Sequence, residues 1–131
     1  MDVQIWQLPV TQDYKNQRRL LEPRGELTQI VNEHGLNLNH LLYLEIKAGQ
    51  KRAMHYHKVK VEWFYVIRGK ADLYLKDIRT GEEKTVEIAA GSLIKIMPFV
   101  YHIFTARQDS QLLEFSTRVF DPNDTDAFPL D

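Results

Sequence analysis

The chain has 131 residues, of which 44% are hydrophobic and 27% are charged. This composition is that of an ordinary globular protein, and the length suits one domain with a buried core. A formal net charge of -1 gives no reason to expect nucleic acid or an anionic membrane as a partner. The chain contains no cysteine, which excludes disulfides and thiol catalysis.

The N-terminal segment MDVQIWQLPV lacks the basic start and the long apolar core of a signal peptide. No apolar run approaches the length that a membrane-spanning helix needs. We therefore expect a cytoplasmic protein, and the absence of cysteine is compatible with a reducing compartment.

Short alternating segments separated by turn residues run along most of the chain, which favours a sandwich or barrel. Strands are predicted near residues 3–8, 24–31, 41–47, 62–68, 70–76, 84–88, 92–96 and 112–120. A short helix would fit only in the polar connection 11–19, and 32–39 is predicted to be a loop. The pattern adds up to a double-stranded jelly roll of eight to eleven strands, an all-β fold.

The predicted organisation is a single domain with its core at about residues 40–120. Residues 1–39 supply N-terminal strands and a loop, and the acidic tail 121–131 is expected to lie outside the barrel. Two histidines near the loop, His34 and His40, are assigned to the surface because histidine is commonly exposed.

The strand predicted at 62–68 is apolar on both faces. Phe64 and Val66 share the side of Glu62, and the residues of the other side are Trp63, Tyr65 and Ile67. A strand covered on both faces implies a second sheet or a partner subunit lying over it. The second possibility predicts a homodimer through this outer face.

The most informative stretch runs from Gly49 to Gly69 and has the spacing G-x5-H-x-H-x4-E-x6-G. His55 and His57 are two residues apart, so on extended backbone they point to the same side. The four residues before Glu62 allow a turn and a return strand that brings its carboxylate beside them. Two nitrogens and one oxygen are suitable ligands for a borderline divalent metal. Any one histidine alone is more often a surface residue, but the set favours a metal site.

A second stretch, from Gly91 to His102, offers a fourth ligand at the head of another apolar run. With both stretches the chain resembles a cupin, and the first cupin motif is matched in full. The second motif is matched at its two ends, which have the family's spacing of eleven residues. Between them Phe99 stands where the family has glycine, although a residue with a Cβ does not take a positive φ cheaply. Met97 and Ala106 replace the family's proline and asparagine.

The resemblance implies a cation held by His55, His57, Glu62 and His102. Around an octahedral ion, four such ligands leave two positions open for water or a bidentate substrate. An open site of this kind can polarise a carbonyl, stabilise an enediolate or, with Fe(II), activate dioxygen. Zn, Mn, Fe, Ni and Co are all admissible, and the ligand set does not choose among them.

Other polar residues are candidates for work beside the metal. Lys51 shares strand parity with His55, so it faces the cavity if the strand is regular, whereas Arg52 then faces away. Glu114 interrupts an apolar run, and a buried glutamate there is a candidate acid or base. The alternative, that Glu45 and Glu114 both face solvent, is left open by the sequence.

A narrower resemblance is to the small cupins of nucleotide-sugar metabolism, which include 3,4-ketoisomerases, 3,5-epimerases and a domain of a capsular polysaccharide enzyme. It rests on RGEL from residue 24, KRAMHYHK from residue 51, EWFYVIRGKADLYL from residue 62, and FDP from residue 120 with its following aspartates. It implies a nucleotide-sugar substrate, with His55 or His57 removing a proton alpha to a keto group. Lys51 or Arg52 would then lie near the diphosphate.

Three function classes follow. The first is a metal-dependent sugar isomerase or epimerase, which we favour because all four ligands are kept. The second is another metal-dependent cupin enzyme, such as a dioxygenase or polyketide cyclase. The third is a small-molecule-binding cupin without turnover.

Overall fold

The computed structural model describes residues 1–12 and 17–119, together with the backbone of a short strand at 127–128. These residues form twelve strands and no helix, so none of them builds an apolar helix of membrane-spanning length. The strands are β1 (Val3–Gln7), β2 (Arg19–Glu22), β3 (Gly25–Thr28), β4 (His40–Ile46), β5 (Lys51–His57), β6 (Glu62–Arg68), β7 (Lys70–Asp77), β8 (Glu83–Ala89), β9 (Ser92–Ile96), β10 (Val100–Ala106), β11 (Ser110–Ser116) and β12 (Ala127–Phe128).

Two five-stranded antiparallel sheets form the body of the fold. The first sheet has the order β1-β9-β6-β11-β4 and the second has the order β12-β5-β10-β7-β8, while β2 and β3 form a separate hairpin. Consecutive strands of the chain alternate between the sheets in several places, as in a double-stranded jelly roll. The predicted all-β jelly-roll fold is therefore confirmed.

The main core lies between the two sheets. Strand alternation directs one face of each strand inward, and these faces supply large apolar side chains. Phe64 of β6 and Phe104 of β10 meet across the interior with ring centroids 4.7 Å apart. Leu73 and Leu112, from β7 and β11, are fully buried in the same cluster. This apolar packing fills the part of the interior that the polar site does not use.

The outer face of the first sheet is covered partly by the chain itself. Tyr65 is buried in a cluster with Leu8 and Phe115, against which Ile30 and Val31 pack. The N-terminal segment therefore accounts for the burial of Tyr65, and no partner subunit is needed to explain it. Ile67, further along the same face, is 38% exposed. The homodimer stays a prediction.

Three local predictions differ from the structure or lie partly outside it. The extended stretch predicted at 24–31 is confirmed only as the shorter strand β3, and its hairpin partner β2 was not predicted. An ion pair between Arg19 and Glu26 joins the two strands. The predicted helix at 11–19 includes residues 13–16, which lie outside the described residues, as do 120–126 and 129–131 of the acidic tail. Residues 127–128 are not outside the barrel, since they pair with β5 and occupy its open hydrogen-bonding edge.

Candidate functional site

Four polar side chains from three strands meet inside the fold. His55 and His57 lie on β5, His102 lies opposite His55 on the neighbouring β10, and Glu62 begins β6 in the other sheet. The two histidines of β5 are two residues apart and so share a face, as their spacing predicts. The site therefore joins the inner faces of both sheets.

The Oε1 atom of Glu62 is the centre of the group. It lies 2.8 Å from Nε2 of His57, 3.3 Å from Nε2 of His102 and 4.0 Å from Nε2 of His55. The potential ligand atoms of His55, His57 and Glu62 all lie within 4.8 Å of one another. His102 adjoins this trio through its contact with Glu62. The structure thus brings together the four residues that the sequence singles out as metal ligands.

Burial and unmet hydrogen bonding show that these residues fit a cation. Glu62 is 2% exposed and His102 is fully buried. Within the described part of the chain, Oε1 of Glu62 and Nε2 of both His55 and His102 have no hydrogen-bond partner. Buried polar atoms without partners are costly, and a cation at the point they share would satisfy all of them.

The orientation of His102 supports the same interpretation. Its Nδ1 lies 3.0 Å from the backbone carbonyl oxygen of Val100, to which an Nδ1–H donates. This hydrogen bond leaves the lone pair of Nε2 directed into the site, which is the usual arrangement of a metal-binding histidine. The sequence did not identify this acceptor, because a backbone carbonyl has no residue signature.

The electrostatics of His55 and Glu62 favour the protonation states that bind a metal. Burial, followed by the nearby His102, lowers the pKa of His55 to about 4, so its imidazole is neutral at neutral pH. Burial opposes the ionisation of Glu62, but contacts with His102 and His57 outweigh it and hold the pKa of Glu62 well below its usual value. Neutral imidazoles and an ionised carboxylate are the states that coordinate a divalent ion.

A cavity of about 360 Å³ leads to the site. Burial, and then the charge and hydrogen bonding of Glu62, raise the pKa of Glu114 to about 8. Glu114 therefore faces the interior, whereas Glu45 is exposed and bonds with the hydroxyl of Tyr43. The acid–base role of Glu114 stays a prediction. Residues lining the cavity include His55, Phe64, Phe104 and Glu114, together with the exposed Lys51 and Arg52.

A bulge in β5 interrupts the alternation from which the orientation of Lys51 was predicted. Ala53 and Met54 have φ angles of 76° and 61°, and the pairing of β5 with β10 shifts by one residue beside them. Arg52 therefore lies opposite the inward-facing Phe104, and Lys51 lies opposite Thr105. Both residues border the cavity, as expected for Lys51 but not for Arg52. The role of Lys51 stays a prediction.

Sequence reasoning missed the position of Lys60. Its side chain is only 15% exposed, and its Nζ lies 3.8 Å from Oε2 of Glu62. The signal that could have found it is strand parity, because Lys60 and Glu62 are two residues apart.

The turn before β10 contains a left-handed residue, Phe99, at the position where the second cupin motif has glycine. Phe99 takes a positive φ of 67°, its N–H donates to the carbonyl of His57, and its carbonyl accepts from the N–H of Ile78. Its ring stacks on Tyr56 and lies under the guanidinium of Arg79. These contacts offset a left-handed backbone that costs a residue with a Cβ about 1 kcal/mol.

Known proteins with the same fold include enzymes of sugar metabolism. One is a mutant of the 3,4-ketoisomerase QdtA from Thermoanaerobacterium thermosaccharolyticum in complex with TDP-4-keto-6-deoxyglucose. Its sequence is 18% identical to this chain, and the two structures superpose with a TM-score of 0.77. The match covers 98% of this chain and 88% of QdtA. The dTDP-4-dehydrorhamnose 3,5-epimerase from Sulfolobus tokodaii is 19% identical with a TM-score of 0.69, over 80% of this chain and 69% of that one. At these identities the likeness establishes the fold.

The capsular polysaccharide assembling protein CapF from Staphylococcus aureus is 20% identical with a TM-score of 0.66 over 86% of this chain, which corresponds to 32% of CapF. No curated protein matches the sequence. The family model of the polysaccharide biosynthesis C-terminal domain matches residues 21–128, which is most of the chain. With its jelly roll and its complete first cupin motif, this chain belongs to the family of polysaccharide biosynthesis C-terminal domains, within the cupins.

Proposed function

We propose that this protein is a metal-dependent nucleotide-sugar isomerase that moves a proton at a carbon next to a keto group. The observation that carries the proposal is the convergence of His55, His57 and Glu62 within 4.8 Å, with His102 beside them, at a cavity whose wall includes Glu114. A cavity with a few convergent polar groups and a perturbed pKa is the usual form of an active site.

The cation would be held by His55, His57, Glu62 and His102. When bound, it would polarise the carbonyl oxygen of a keto sugar and acidify the neighbouring C–H bond. The three imidazoles would then be committed as ligands, so they would not be available to accept a proton. His55 or His57 would act as the base only in a protein without the metal.

Glu114 is the residue that we assign to proton transfer. Its raised pKa keeps a proton on the carboxyl group near neutral pH, and a pKa close to the working pH suits a group that both takes and returns a proton. It belongs to the cavity wall, as does His55. A single carboxyl group there can carry a proton from one carbon of the sugar to the next.

The basic residues of the cavity rim suit an anionic substrate. Lys51 and Arg52 are both exposed there, and Nε of Arg52 donates to the carbonyl of Glu45. Among the described residues, no partner takes the other guanidinium donors of Arg52, which could bind a ligand such as a diphosphate. The complex of the similar 3,4-ketoisomerase contains TDP-4-keto-6-deoxyglucose, which supports a nucleotide sugar as the substrate class. A cytoplasmic location is part of this proposal.

We also propose that the protein is a homodimer formed through the outer face of the first sheet. The support is the apolar surface that the chain leaves open there, with Leu41 64%, Tyr43 52% and Ile67 38% exposed. Light scattering after size exclusion would measure the mass in solution. A monomeric mass at high protein concentration would contradict the dimer.

The function is tested by proton exchange with solvent. The purified protein is analysed for bound metals and then incubated with TDP-4-keto-6-deoxyglucose in D₂O while the proton next to the keto group is followed by NMR. We expect wild type to exchange this proton, a chelator to stop the exchange, and Glu114→Gln to slow it by about 100-fold or more. Binding without any exchange would favour a non-catalytic protein, and bound iron with oxygen uptake would favour a dioxygenase.

A further inference from the structure

The two carboxylate oxygens of Glu62 have different surroundings. Oε1 is directed to the histidines, with its shortest contact at 2.8 Å to Nε2 of His57. Oε2 lies on the other side, 3.8 Å from the ammonium nitrogen of Lys60. Carboxylates can bind a cation through one oxygen or both, and a counter-charge on one oxygen favours binding through the other.

Lys60 stands in an electrostatically costly position. Its side chain is 15% exposed, and it lies next to a site whose ligands suit a doubly charged cation. A largely buried ammonium beside a dication weakens metal binding, so its presence suggests a compensating role.

We propose that Lys60 is a positioning residue that holds Oε2 of Glu62 away from the cation, so that Glu62 binds through Oε1 alone. This inference rests on the proposed metal site and deepens it. A carboxylate that binds through one oxygen leaves an additional position on the ion open, and an isomerase needs open positions for its substrate. Lys60 thus lowers metal affinity while it preserves access to the metal.

The exposed Lys58 provides a matched control in the same loop. Lys58→Met removes the same charge two residues away, while Lys60→Arg keeps a cation near Oε2. Glu114, whose carboxyl group also interacts with Glu62, is unchanged in every variant. Differences between the variants therefore report on Lys60.

The experiment counts the water molecules that Mn(II) retains in the full chain. Protein loaded with Mn(II) is examined by water-proton relaxation, which depends on the number of waters bound to the ion. We expect Lys60→Met to lose roughly half of the relaxation enhancement, as one of two open positions closes. We also expect its Kd for Mn(II) to fall roughly tenfold, because a nearby positive charge is gone. Lys58→Met and Lys60→Arg are expected to resemble wild type.

Two results would overturn the inference at different levels. If wild type binds Mn(II) and Lys60→Met has the same relaxation and affinity, the role of Lys60 fails and the metal site stands. If wild type binds neither Mn(II) nor any other divalent ion, the metal-site proposal fails and this inference fails with it. Circular dichroism checks that Lys60→Met is folded, and Lys60→Gln replaces it in the comparison if it is not.

Discussion

His57 makes the shortest contact with Glu62 and is the most direct test of the ligand set. We expect His57→Ala to lose stoichiometric metal and to keep its fold, because the main core consists of apolar residues that this change does not touch. Elemental analysis measures the metal, and circular dichroism measures the fold. His34→Ala, at an exposed loop position, serves as the control and keeps its metal. Unchanged metal content in His57→Ala would rule it out as a ligand.

The partly buried carboxyl group of Glu114 should make the stability of the metal-free protein depend on pH. Its pKa of about 8 in the fold exceeds the ordinary value of 4.5, so the folded state binds its proton more tightly than the unfolded state. The protonated Glu114 therefore contributes its full stabilisation at pH values below the pKa that it has in the unfolded chain. This contribution is lost as the pH rises through the pKa that it has in the folded protein. Urea titrations measure the free energy of unfolding at each pH. Between about pH 5 and about pH 9, this free energy should fall further in wild type than in Glu114→Gln. Equal losses would contradict burial of an ionisable carboxyl group.

At the residue scale, spacing predicted that the candidate ligands His55, His57 and Glu62 lie together, but it did not predict the residues that contact them. His55 and His57 could be placed together because strand alternation is local, and the short loop before Glu62 limited how far its carboxylate could lie. The acceptor at Val100 is a backbone carbonyl two residues from His102, and a backbone carbonyl has no residue signature. Lys60 lies two residues from Glu62, so strand parity could have indicated its contact with the carboxylate.

The β6–β7 turn tests the role of the last glycine of the first motif. Gly69 has a φ of 103°, and an added Cβ would lie 2.3 Å from Oγ of Ser110 and 2.7 Å from the carbonyl oxygen of Asp109. Gly69→Ala should therefore combine backbone strain with a clash and cost about 2 kcal/mol or more. The free energy of unfolding from urea titrations measures this cost.

Gly49 is the matched control for that change. It has a φ of 83°, but an added Cβ would meet nothing within 4 Å. Gly49→Ala should therefore lower the free energy of unfolding only through backbone strain, by about 1 kcal/mol. If both variants lost the same free energy of unfolding, the clash with Ser110 would not contribute to the destabilisation of Gly69→Ala.

At the scale of elements, the sequence predicts strands well and their irregularities poorly. The left-handed residues Ala53, Met54 and Phe99 carry no glycine signal, because packing and hydrogen bonds of the finished fold hold them there. The bulge formed by the first two interrupts the alternation from which the orientations of Lys51 and Arg52 were predicted. The β2–β3 hairpin was also missed, and an ion pair between Arg19 and Glu26 joins its two strands.

At the scale of the whole molecule, alternation of apolar residues was enough to predict two sheets closing on each other. It could not show what covers their outer faces. Tyr65 looked available for a partner subunit, yet Leu8 and Ile30 from the N-terminal segment pack in its cluster. The burial of an outward-facing residue depends on contacts between distant parts of the chain, which periodicity does not record.

The proposed metal site would connect the two sheets, so a bound metal should stabilise the whole fold. Glu62 belongs to the first sheet, whereas the histidines lie on β5 and β10 of the second, so a cation would link them. A ligand that binds only the folded state at a thousand times its Kd adds about 4 kcal/mol, which raises the Tm of a chain of this size by roughly 10 °C or more. Calorimetry with and without added Zn(II) measures the shift. His57→Ala should show little of it, and an equal shift in that variant would mean that the metal acts elsewhere on the molecule.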